Sequence, residues 1–157
     1  MKLREIISSD RRSPGFTLVE LMIALTIIAV LAAIAVPMYS KQVQKSRRVD
    51  ARTAVTDLAG REERYLSTSG SYTSVAANLG YTALPVVVGS GYYTLSVVVP
   101  VVAAGVQPTY TAIATVVAGS TQIADGACQY FSVDNTGKQF SSATNAGGAD
   151  TSNTCWN

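Results

Sequence analysis

Between Glu20 and Lys41 the chain runs for twenty residues without a charge, LMIALTIIAVLAAIAVPMYS. From Leu21 to Met38 its polarity is broken only by Thr26. With Phe16 to Val19 in front, and about 1.5 Å of rise per residue, this segment can cross a hydrocarbon layer about 30 Å thick. A helix that is apolar all round has no side suited to water. It must lie in lipid or among other helices, and that requirement governs how the rest of the chain can be arranged. It also makes Glu20 costly. A carboxylate deep in a bilayer costs about 2.5–3.5 kcal/mol on insertion scales, and less near the interface. Glu20 sits one turn inside, so it needs compensation. The helix N-terminal dipole offers about 0.3–1 kcal/mol; a cation offers more.

The net charge is +2, and most of its asymmetry lies in the first fifteen residues. These hold Lys2, Arg4, Arg11 and Arg12 against Glu5 and Asp10, which leaves eight side chains of each sign in the remainder. From Tyr65 to Ala124 there is no charged side chain. A neutral head of this kind has no long-range field to attract nucleic acid. Its Val, Thr, Tyr and Ser content suits strands that are packed or shared with neighbours. There is no histidine, so Ser-His-Asp and Cys-His arrangements are excluded. No catalytic centre, metal or cofactor is implied. Asp125, Asp134 and Asp150, with Asn135 and Asn145, match no calcium loop and are ordinary turn residues. The two cysteines, Cys128 and Cys155, lie beyond the apolar segment and suggest one disulfide in an oxidising compartment. Such a bridge would stabilise the head by roughly 3–4 kcal/mol in the chain-entropy model.

The segment before the apolar run, MKLREIISSDRRSPG, is short and polar, and the run follows it directly. A secretory signal has its cleavage site after the apolar region; here the junction comes first. The motif GFTLVE followed by about twenty apolar residues resembles the class III signal of type IV prepilins. The likeness is close from Gly15 to about Arg48. It implies residues 1–15 as a leader, cleavage between Gly15 and Phe16 by prepilin peptidase, and N-methylation of Phe16. Glu20 is then the fifth mature residue, where that family places its acid. Cleavage creates an ammonium group at Phe16, and the Glu20 of one subunit can meet the Phe16 amine of a neighbour. Such a pair neutralises both charges and sets axial register. Pro37 matches a proline common in the family, and Ala29 stands where many members have a glycine.

Beyond Pro37 the sequence continues with helix formers as far as Ser67, and Gly70 marks the stop. Pro37 should kink the helix rather than end it. Residues 16–38 then form a transmembrane and assembly half, and residues 39–68 an amphipathic half. Lys41, Lys45, Arg48 and Arg52 make a basic stripe, either a solvated face or one near anionic headgroups or an acidic neighbour. Ala51, Val55, Leu58 and Leu66, with Tyr65 alongside, form a face able to pack on a sheet. Asp57 and Arg61 have the spacing of an i,i+4 pair.

Residues 69–157 read as the head. Tyr72 to Pro85 is a loop with a short helix or turn. GYYTLSVVVP, Gly91 to Pro100, alternates with Tyr93, Leu95, Val97 and Val99 on one face. Pro108 to Val117 is a second strand, and Ala127 to Ser141 a hairpin around Asn135–Thr136–Gly137. The fold class is α+β: a long N-terminal helix on an antiparallel sheet of three or four strands, the type IV pilin fold. The C-terminal Cys155–Trp156 ending, with the YYTLSV and SVDNTGKQ strands, is similar to type IVa pilins and PilE-like minor pilins. That likeness implies a structural subunit with other pilin subunits, prepilin peptidase and the inner-membrane assembly machinery as partners. Before assembly it would be a single-pass inner-membrane protein with a periplasmic head. Afterwards it would lie in a surface pilus serving adhesion, twitching motility or DNA uptake, with nucleic acid met only through the assembled fibre. A major pilin and a type II secretion pseudopilin share the same leader. A membrane-anchored ligand-binding module is the reading from a different class.

Overall fold

The computed structural model describes residues 15–103, 105–144 and 147–157. The leader reading therefore lies, apart from Gly15, outside the described residues, as does Asn145. Contacts divide the chain into two units, Met1–Tyr39 and Ser40–Asn157. Helix α1, Leu18–Ser69, contributes to both.

In the first unit α1 begins on a cap. Thr17 Oγ1 accepts the Glu20 N–H at 3.2 Å, satisfying one of the free donors of the first turn. Thr17 and Glu20 thus stand in the positions of a Thr-x-x-Glu capping box. Thr26, the one polar side chain of the run, donates its hydroxyl to the Met22 carbonyl at 2.8 Å and so presents no free donor to an apolar medium. Pro37 lies inside α1 without ending it. The helix has an 18-residue window of mean hydropathy 2.7, long and apolar enough to cross a membrane.

In the second unit α1 ends at Gly70, whose φ of +74° favours glycine and whose N–H donates to the Leu66 carbonyl at 2.8 Å. Ser67 and Ser69 add hydroxyl bonds to the Arg64 and Tyr65 carbonyls at 2.7 and 2.6 Å. A 3-10 turn at Ala76–Leu79 occupies the expected loop. Among the described residues five antiparallel strands follow: β1 Val86–Val88, β2 Tyr93–Val98, β3 Thr111–Val116, β4 Tyr130–Asp134 and β5 Gln139–Ser142. Their order in the sheet is their order in the sequence. A second 3-10 turn spans Thr121–Ala124, and a one-turn helix, α2, spans Ser152–Cys155.

The expected three or four strands are thus five, because Val86–Val88 pairs with β2. The expected turn at Asn135–Thr136–Gly137 joins β4 to β5. Asp134 Oδ1 accepts the Thr136 and Lys138 N–H groups at 2.9 and 3.0 Å and pins that turn. Burial raises the Asp134 pKa, but these bonds outweigh it and the net shift is downward.

Alternation sets which face meets the helix. Tyr93 and Leu95 of β2, Ala112 and Ala114 of β3, and Phe131 and Val133 of β4 are in register and buried. They share one core with Ala51, Val55, Leu58 and Ala59 of α1. Leu66, expected on that face, is only half-buried, and Glu62 is fully buried instead. The opposite face of the sheet is uneven. Tyr130, Ser132 and Ser142 point away from the core by register, yet they are buried as well. Phe140 of β5, paired opposite Ser132, stacks edge-on against Tyr130 with ring centroids 6.1 Å apart, and Gly148 lies so close to Ser142 that an added Cβ would be 2.9 Å from Ser142 Cβ. On β2 and β3 the corresponding Thr94, Ser96, Ile113 and Thr115 stay half-exposed.

The β1–β2 turn is tied to the helix. Asp50 Oδ2 accepts the Ser90 N–H at 3.0 Å and its hydroxyl at 2.8 Å. Gly89 approaches so closely, at φ +58°, that a Cβ there would lie 2.5 Å from Asp50 Cβ. Only glycine allows both that dihedral and that approach.

Candidate functional site

The first candidate surface is the start of α1. Gly15, Phe16 and Thr17 precede the helix, and Phe16 is 83 % exposed. Glu20 lies in the first turn and is exposed. Leu18, Leu21, Met22, Ile27, Val30 and Leu31 go all the way round the helix and each is more than half exposed. No residue of the most apolar window is buried. That much apolar surface cannot stand in water. It fits a bilayer, or a bundle of similar helices in which Glu20 is the ionisable group. Two features of this end, then, were legible in the sequence: the acid and the apolar run. The cap at Thr17 was not singled out, although Thr17 and Glu20 carry the capping-box spacing.

The second candidate surface is the head, and its basic side chains decide what it can attract. The stripe Lys41, Lys45, Arg48, Arg52 does not survive as a uniform face. Arg48 makes a two-pronged bond to Asp125, Nε to Oδ2 at 2.7 Å and Nη2 to Oδ1 at 2.8 Å, with both partners largely buried. Arg52 donates to the Trp156 carbonyl. Arg47 donates to Thr121 Oγ1 at 2.9 Å and lies 3.7 Å above the Tyr92 ring. Arg61 donates to Asp57 at 2.7 Å, the expected i,i+4 pair, and to the Leu79 carbonyl at 2.8 Å. Burial raises the Asp57 pKa, but bonds from Arg61 and Tyr81 outweigh it and hold the carboxyl below its usual value. Lys41, Lys45, Arg64 and Lys138 are the exposed cations of this unit.

These arginines fix the C-terminal region to the helix. Gln122 Nε2 donates to Asp125 Oδ2 at 3.0 Å, to Tyr93 Oη at 3.2 Å and to the Gln44 carbonyl at 3.3 Å. Tyr93 Oη donates in turn to the Cys128 carbonyl at 3.0 Å. Burial first, and then the Asp125 charge, push the Tyr93 pKa up to about 12, so it remains a donor at any physiological pH. Cys128 and Cys155 are joined, with Cα atoms 5.6 Å apart and both residues fully buried. Trp156 packs edge-on to Phe131, ring centroids 5.8 Å apart. The disulfide expected from the sequence is therefore present, and the tail it holds is a lid over one end of the core.

The acids weighed as calcium ligands lie in separate places. Asp125 serves Arg48 and Gln122, Asp134 the β4–β5 turn, and Asp150 the Ser152 N–H at 2.8 Å.

Comparison with known proteins agrees with this arrangement. Residues 10–36 match the prokaryotic N-terminal methylation motif. Residues 37–132 match the family described as type IV minor pilin ComP, DNA uptake sequence receptor. A type IV major pilin protein, PilA, of Myxococcus xanthus is 37 % identical over 70 residues, 45 % of this chain and 32 % of that protein. A fimbrial protein, EcpC, of Eikenella corrodens is 39 % identical over 98 residues, 62 % of this chain and 60 % of that protein. The matched regions thus cover less than two thirds of either relative. The minor pilin model spans well over half of the chain, and the chain belongs to the type IV minor pilin family.

Proposed function

We propose that the chain is a structural minor pilin of the PilE-like kind, built into a type IV pilus by packing of its apolar helix. The observation that carries this reading is the fully exposed apolar run of α1 with Glu20 in its first turn. Prepilin peptidase removes residues 1–15 and the new terminus at Phe16 is methylated. The protein waits in the inner membrane with residues 16–38 across the bilayer and the head in the periplasm. The assembly machinery then transfers the helix into a bundle of pilin helices, where Glu20 meets the Phe16 amine of a neighbour. A kink at Pro37, within α1, is part of this reading. Mass spectrometry of the membrane-fraction protein tests the sequence of events. The expected species lacks residues 1–15 and carries one methyl group on Phe16; an intact Met1 terminus throughout would overturn the reading.

A second reading follows from the description of the matched family as a DNA uptake sequence receptor. The exposed cations of the head unit limit it. Lys45 and Arg64 are nineteen residues apart on α1, about 28 Å at 1.5 Å per residue. Lys138 is the only basic side chain after Arg64. A receptor that neutralises several phosphates needs its cations clustered. We therefore place any DNA contact in the assembled fibre, where copies of these residues are brought together. Titration of labelled duplex DNA should give no measurable binding by the monomer in detergent at 150 mM salt. Sheared fibres should bind, with an affinity that falls steeply as salt is raised. Tight binding by the monomer would reverse this assignment.

A further inference from the structure

Glu62 is a titratable group in the head that no part of the assembly reading uses. It has no solvent exposure, and it lies on the face of α1 that packs into the core. One carboxylate oxygen, Oε2, accepts the buried N–H of Thr73 at 3.1 Å. The other, Oε1, is buried with no hydrogen-bond partner among the described residues. The ion pairs of the described residues are Arg48–Asp125 and Arg61–Asp57, so no cation answers this carboxyl. The groups that face it are an acid and two phenols. Glu63, beside it on α1, accepts the Tyr72 hydroxyl at 3.0 Å. Tyr72, from the following loop, and Tyr110, just before β3, stack edge-on with centroids 4.6 Å apart.

The Thr73 bond is the first link of a chain. Thr73 Oγ1 accepts the Val75 N–H at 3.1 Å and Asn78 Nδ2 at 3.4 Å. These bonds organise the entry to the 3-10 turn Ala76–Leu79, whose Leu79 is buried in the core. The Glu62 carboxyl is the buried anchor of this segment, beside the outer ties from Tyr72 to Glu63 and from Arg61 to the Leu79 carbonyl.

We propose that Glu62 is a proton-responsive clasp: protonated, it holds the segment Ser71–Thr73 against α1, and on ionisation it lets that segment loosen. A buried, unpaired anion is the costly species, and a neutral carboxyl still offers Oε2 to the Thr73 N–H. One proton is taken from solvent when the clasp closes and is returned when it opens. The closed state binds this proton more tightly than the open state, because burial disfavours the charged form by more than the Thr73 N–H bond favours it, and Glu63 adds to the effect. Closure is therefore favoured at low pH and is lost as pH rises from the ordinary glutamate value of about 4.3 through the raised one. Tyr72 and Tyr110 do not titrate in that window, since burial keeps both phenols well above it.

The test uses the full chain in detergent micelles, with amide exchange at Thr73 followed from pH 4 to pH 8 and corrected for intrinsic rates. Exchange should quicken about tenfold per pH unit across the window. Glu62→Gln should remove that dependence, and Glu63→Gln should retain it. A Thr73 amide with no pH-dependent step, or one whose step persists in Glu62→Gln, overturns the clasp. Should Glu62→Gln fail to fold, the carboxyl carbon shift of Glu62 in the unaltered chain decides. A midpoint above the ordinary glutamate range supports the proposal, and one within or below that range sinks it.

Discussion

Glu20→Ala should leave the protein cleaved after Gly15, inserted and folded, while its content in sheared fibres falls at least about tenfold. The reasoning is electrostatic. In the proposed bundle, removing the acid would leave the Phe16 ammonium of a neighbouring subunit in an apolar setting without its counter-charge. Breaking one side of a buried pair typically costs about 3–5 kcal/mol, and each 1.4 kcal/mol is a factor of ten in an equilibrium. The head should be unaffected, because its core draws on α1 only from Ala51 onward. Immunoblots of membrane and fibre fractions measure both quantities. Glu20→Gln separates the two uses of the carboxylate: a neutral amide keeps the shape and loses the charge. Equal loss in both variants identifies charge pairing as the assembly term. Full assembly of Glu20→Ala would reduce the acid to a helix-cap ornament of about 0.3–1 kcal/mol.

The second large effect concerns the head. Cys128→Ser combined with Cys155→Ser should lower its unfolding free energy by about 2–5 kcal/mol. The bridge does more here than shorten the unfolded chain. It keeps α2 and Trp156 against Phe131, and that tail supplies carbonyls to Arg48 and Arg52. Without it Arg48 would keep Asp125 but lose the Thr154 carbonyl, and Trp156 would be free to leave the core. Denaturant titration of the head signal, with and without reductant, gives the number. A loss under 1 kcal/mol would show that the arginine contacts hold the tail unaided.

Much of this architecture was legible in the sequence, and the gaps have physical causes. The apolar run, its acid and the Gly70 stop depend on local composition and backbone chemistry. Strands β2 to β5 announced themselves by alternation and by an Asn-Thr-Gly turn. Val86–Val88 did not, because three consecutive valines carry no period; only pairing with Leu95, Thr94 and Tyr93 makes them a strand. Glu62 was hidden for the opposite reason. A charged residue at a core position breaks the apolar stripe, so the sequence period points to Leu66 where Glu62 lies deeper. The inward turn of Arg48 and Arg52 was equally invisible, since their partners, Asp125 and Trp156, are 77 and 104 residues away. At the apolar end, the acid and the run could be named from the sequence, whereas the Thr17 cap emerged from geometry.

The lopsided cover over the sheet bears on how such a subunit can vary. On β4 and β5 the outer face is filled, Tyr130 by Phe140 edge-on and Ser142 by the close approach of Gly148, so a change at Tyr130 or Ser142 disturbs packing. On β2 and β3 the same face is more open among the described residues, where Thr94, Ser96 and Thr115 are half-exposed. Half of one wall is thereby released from the demands of folding. Drift or selection can repaint that half, hydroxyl by hydroxyl, while the interior stays as it was.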